Sequence, residues 1–89
     1  MVTYPISVPH KQYQGSNQRR RDEVRRHNEL AELLQQNINE KMRRGSEQMY
    51  EFTYREIALE LQLTEEEVFD LLFAVDCGHN AITVIKSPK

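Results

Sequence analysis

The 89-residue chain predicts a mainly α fold: a long N-terminal helix, then a helix-turn-helix with a small β element. Three observations carry that expectation. Residues 18–44 contain neither proline nor glycine and keep apolar residues at helical spacing. Residues 53–75 hold two helix-start signatures eleven residues apart. Residues 81–85 (AITVI) are rich in β-branched side chains and follow turn-forming chemistry at Asp76-Cys77-Gly78-His79-Asn80.

At the N-terminus, Val2, Tyr4, Ile6 and Val8 alternate with the period of a strand, whereas Pro5 and Pro9 fall on the other parity. Proline cannot donate to a ladder, so residues 1–17 read as an edge strand, an extended arm or a flexible tail ahead of a single domain over 18–89. An arm of this kind can lie on the domain or add to a partner's sheet.

The long helix is predicted over residues 18–44 by its Arg, Glu, Leu and Gln content, with Gly45 as a left-handed stop. Leu30, Leu34, Ile38 and Met42 form its apolar stripe, widened by Leu33. Only Val24 precedes them, so the first three turns are expected to project from the core or meet another chain. No sustained heptad supports a long coiled coil.

Next, Met49–Phe52 reads as a short strand running into Thr53 and Glu56, whose spacing suits a capping box with Phe52 and Ile57 as its hydrophobic staple. Thr64 and Glu67 repeat the device between Leu63 and Val68. The interval leaves room for about two helical turns and a corner. Val68, Leu71, Leu72 and Val75 form the buried stripe of the second helix; Phe69 falls at its margin and Phe73 beyond it. Strand 81–85 needs a partner, either Met49–Phe52 or the N-terminal arm, and any wing after it is truncated.

The run Ile57-Ala58-Leu59-Glu60-Leu61-Gln62-Leu63-Thr64-Glu65-Glu66-Glu67-Val68 resembles the helix-turn-helix of bacterial and phage regulators, especially their winged-helix branch. Ala58 matches the small residue where the helices cross, Leu61 and Leu63 the apolar turn, Thr64 the hydroxyl cap, and Val68 the aliphatic position within the second helix. The family often has glycine where this chain has Gln62, which implies a positive φ there. The resemblance covers about a quarter of the chain. It implies a DNA-binding protein in which Thr64, Phe69 and their neighbours face the groove.

Charge is segregated although the net value is only −2: residues 1–46 hold nine Lys/Arg against five Asp/Glu, and residues 47–89 hold three against nine. Arg19, Arg20, Arg21, Arg25 and Arg26 outnumber nearby Asp22 and Glu23, so they predict an anionic partner through phosphate contacts. Arg43 and Arg44 add to them at the far end of the helix, where they also suit its dipole, and Arg55 joins as a phosphate contact. A pair such as Arg25 with Glu29 at i,i+4 is the structural alternative.

The acidic second helix works against groove reading, since Glu65, Glu66, Glu67 and Asp70 would meet phosphate walls. The competing expectation is therefore a protein-interaction adaptor on the same fold, using Glu66, Phe69, Asp70 and Phe73 on a basic partner. RNA contact through the arginine-rich helix is a third.

No nucleophile–base pair, carboxylate frame or phosphate-cradling glycine loop appears, so a non-enzyme without cofactor is expected. One cysteine with His10, His27 and His79 dispersed does not match zinc spacing, so no metal is expected and Cys77 and His79 read as turn residues. The single cysteine and the lack of an apolar leader or membrane span predict a cytoplasmic protein. A core this thin gains from homodimerisation.

Overall fold

The computed structural model describes residues 2–76 and 80–86. Its elements are β1 (Val2–Thr3), α1 (Gln18–Arg44), β2 (Met49–Thr53), α2 (Tyr54–Leu61), α3 (Glu65–Leu72) and β3 (Ala81–Ile85). The fold is mainly helical with a small three-stranded sheet ordered β1-β3-β2. The turn assigned to Cys77, Gly78 and His79 lies outside the described residues.

Both candidate partners of β3 are used. It pairs antiparallel with β2, setting Phe52 opposite Ile82 and Tyr50 opposite Val84, and parallel with β1, setting Val2 opposite Val84. Alternation then sends Ile82, Val84 and Phe52 inward, with Tyr50 and Val2 packed at the core's margin.

Helix α1 lays Ala31, Leu34, Ile38 and Met42 into the same core as Ile57, Ala58, Val68, Leu71 and Leu72. The stripe is widened by Ala31 rather than Leu33, which is 45 % exposed. Its start is capped by Asn17, which accepts from the Arg20 N–H at 3.2 Å. The helix ends before Gly45 as expected, yet that glycine is extended (φ −72, ψ 154) rather than left-handed. Its smallness serves packing: a Cβ there would run into the Tyr50 hydroxyl.

The arm is part of the domain rather than a separate tail. After Tyr4 N–H bonds the Ile85 carbonyl at 2.6 Å, Ile6 and Val8 enter the core. Three amides on α1 hold the backbone beside them. Asn39 accepts from the Ile6 N–H (2.8 Å) and donates to the Ile6 carbonyl (3.0 Å). Gln35 accepts from the Val8 N–H (2.9 Å), and Asn28 repeats the two-way pairing with Lys11 (2.8 and 2.9 Å). Spacing explains the match. Four helical residues rise about 6 Å, close to two extended residues, and seven rise about 10.5 Å, close to three.

The two short helices meet through Gln62, the one non-glycine residue at positive φ among the described residues (φ 59, ψ 44). The Ala58 carbonyl accepts from Gln62 N–H and, at 2.8 Å, from Leu63 N–H, closing the end of α2. A left-handed residue with a Cβ carries a cost, so Gln62→Gly is expected to stabilise the fold by about 0.5–1 kcal/mol. Urea unfolding at constant m-value checks this.

The caps differ. Thr64 and Glu67 form a complete capping box, with side chain and backbone bonded in both directions at 3.0 Å. At α2 only half forms: Thr53 accepts from the Glu56 N–H at 3.1 Å. The backbone at this start is already held by the sheet, where Tyr54 N–H bonds the Asn80 carbonyl at 2.8 Å.

Candidate nucleic-acid interface

Helix α1 begins with Arg19, Arg20 and Arg21 in its first turns and no acid in the first turn. Cations at a helix N-terminus oppose the macrodipole by a few tenths of a kcal/mol each, so helix stability does not account for them. The arm runs between them. Lys11, Gln12 and Tyr13 line one shallow groove with Arg19 and Arg20, and a second with Arg21 and Arg25. Tyr13 is fixed between the two because its hydroxyl accepts from the Asn17 N–H at 3.2 Å.

Local acids leave most of this charge unmatched. Arg19 pairs with Glu23 at 3.7 Å, and Asp22 instead accepts from the Gln18 amide at 2.9 Å. The anticipated Arg25–Glu29 pair is not formed. Among the described residues Lys11, Arg20, Arg21 and Arg25 have no ion-pair partner.

Arg26 points the other way. Its guanidinium meets Glu67 at 3.4 Å and joins the basic end to the N-terminus of α3. The Thr64 backbone N–H chiefly draws the Glu67 carboxyl below its ordinary value, aided by the Thr64 hydroxyl and Arg26 against partial burial. The groove at this junction is lined by Lys11, Arg26, His27, Glu67 and Asp70.

His27 is shifted below 6.5, first by burial, then by the Lys11 ammonium; Asp70 and the Pro9 carbonyl pull upward and His10 downward. Its neutral form is favoured in the folded state. That contribution is therefore complete above 6.5 and is lost as pH falls from there toward the lower folded value. Thermal melts from about pH 7.5 to 5.5 should lose stability less steeply in His27→Gln than in wild type.

The remaining predicted phosphate contacts do not gather here. Arg43 and Arg44 lie about 33 Å along the helix from Arg21. Both bond Glu40, Arg43 through two nitrogens and Arg44 at 2.9 Å, and the Arg43 hydrogen bond is the main cause that lowers the Glu40 carboxyl. Arg55 is exposed in the first turn of α2. Between these regions Lys41 pairs with Glu60 and lies 5.8 Å from the Phe52 ring centroid.

On α3, the Thr64 hydroxyl is taken up by its cap, accepting from the Glu67 N–H and donating to the Glu67 carboxylate. Phe69 is half-buried, edge-on to Tyr54 (6.2 Å) and tilted against Phe73 (5.5 Å). Phe73 is 54 % exposed, and Glu66, Phe69, Asp70 and Phe73 share one face at i, i+3, i+4, i+7.

Sequence reasoning missed Lys11, Gln12 and Tyr13. The one hint is the recurrence of amides at 28, 35 and 39 along one side of α1, each of which reads alone as an ordinary polar helix residue. No protein-family model, curated protein or solved structure matches the chain. No helix among the described residues is long and apolar enough to cross a membrane, and no group of three or more His, Cys, Asp or Glu there is placed to hold a metal ion.

Proposed function

We propose that this chain is a small DNA-binding, transcription-regulator-like protein that grips duplex DNA through its phosphates at the basic end of α1. The observation that carries this reading is the gathering of Lys11, Arg19, Arg20, Arg21 and Arg25 around the arm, four of them without an ion-pair partner among the described residues. Flexible cations on either side of a ridge suit the spaced phosphates of a backbone. The α2–turn–α3 corner, with its left-handed Gln62 and boxed Thr64, supports a helix-turn-helix of winged type. In that frame the arm strand β1 supplies the sheet's third member.

Base reading by α3 is a small part of this proposal. Its Thr64 hydroxyl is committed, and Glu65, Glu66 and Asp70 repel phosphate. Binding is accordingly backbone-led, with weak sequence preference. Fluorescence anisotropy with a labelled duplex of about 20 bp in about 50 mM salt tests it, with RNA of the same sequence as comparison. Wild type should bind the DNA duplex. Absence of affinity at that salt sinks the reading.

A second reading, a protein-interaction adaptor, is favoured by the exposure of Phe73 beside Glu66, Phe69 and Asp70. There Phe73→Ala would abolish capture of a basic partner and leave duplex binding unchanged.

A further inference from the structure

The α3 face and the basic end of α1 share a border. Arg26 and Glu67 bond across it, and Lys11 and His27 line the same groove as Asp70. On one side lie Lys11, Arg19, Arg20, Arg21 and Arg25; on the other Glu65, Glu66 and Asp70, none of them in an ion pair among the described residues, flank the exposed Phe73 ring. Face-to-face contact of like patches would set acids on acids or arginines on arginines. A two-fold axis through the border does the opposite, laying each patch on its complement in the other copy and closing the assembly.

We infer that a second copy of this chain docks here, its basic α1 end on the acidic, aromatic α3 face, reciprocally in a closed dimer. Guanidinium groups of one copy pair with Glu66 and Asp70 of the other and cover the Phe69 and Phe73 rings, where cation–π attraction adds to charge pairing. The inference rests on the reading of the α1 end as an anion-binding surface. It adds a regulatory consequence: the dimer occupies the arginines that DNA needs, so duplex and second copy compete.

Sedimentation velocity on the full chain tests this with two charge-reversed variants. One carries Glu65→Lys, Glu66→Lys and Asp70→Lys; the other Arg20→Glu, Arg21→Glu and Arg25→Glu. Wild type should sediment as a dimer at low salt and as a monomer in high salt, with added duplex releasing monomers. Each variant alone should be monomeric, its association weakened about tenfold or more, while an equimolar mixture restores a dimer because both patches then meet opposite charge. Circular dichroism confirms that each variant folds, and Glu66→Gln with Asp70→Asn gives a milder version of the first. A mixture that stays monomeric, or variants that dimerise like wild type, overturns the inference. Because the Glu66→Gln, Asp70→Asn variant keeps its arginines and adds no cation, retained duplex binding in it separates failure of the dimer from failure of the DNA reading.

Discussion

Replacing Arg20, Arg21 and Arg25 with alanine is expected to flatten the salt dependence of duplex binding and to cost more affinity than any other surface change. Each neutralised phosphate releases condensed counterions, so the slope of log K against log salt falls by about 0.9 for every arginine removed, or about 2.7 for three. At about 0.1 M salt each arginine–phosphate pair is worth about eightfold, giving a combined loss on the order of 500-fold. The same change at Arg43 and Arg44 should do little, because both guanidinium groups already bond Glu40. Anisotropy titrations over a salt series measure slope and affinity together. An unchanged slope in the triple variant would mean that these side chains do not touch phosphate.

Asn39→Ala should be the most damaging single substitution of a polar side chain. It strips the partners from both the N–H and the carbonyl of Ile6, next to a side chain only 2 % exposed. Leaving two such groups without partners costs about 2–4 kcal/mol, a large share of the stability of a domain this small. Urea unfolding gives the loss, and amide exchange locates it. Ile6 and Val8 should exchange faster in the variant while the amides of α2 and α3 keep their order. Uniform acceleration across the chain would show that the arm does not open separately from the core.

The arm also explains why parts of the molecule were illegible in sequence. Asn28, Gln35 and Asn39 look like ordinary polar helix residues, because an amide shows its purpose only once an extended backbone lies beside it. Local signals performed well where the cause was local. The Thr64 box, the span of α1 and the inward stripe Val68, Leu71 and Leu72 all follow from residues within one or two turns, while the positive φ at Gln62 is what the helix-turn-helix resemblance implies. They failed where a group outside the helix decided. Gly45 answers to the Tyr50 ring rather than to a left-handed cap, and Arg26 turns to Glu67, 41 positions away. For the candidate site, the arginines themselves were legible. Their arrangement on either side of Lys11 and Tyr13 was not, because it depends on where the arm crosses the helix.

Strand β3 lies between β1 and β2 in space but comes last among the elements in chain order. During synthesis, therefore, neither neighbouring strand has anything to pair with until residues 81–85 emerge. A nascent chain halted earlier can wind its helices, whose bonds are local, yet leaves Phe52 and Tyr50 uncovered and the first strand detached. Closure then joins segments some 80 positions apart. Ribosome-stalled fragments lacking that last strand should be cut readily by protease, and protection should arrive abruptly with it.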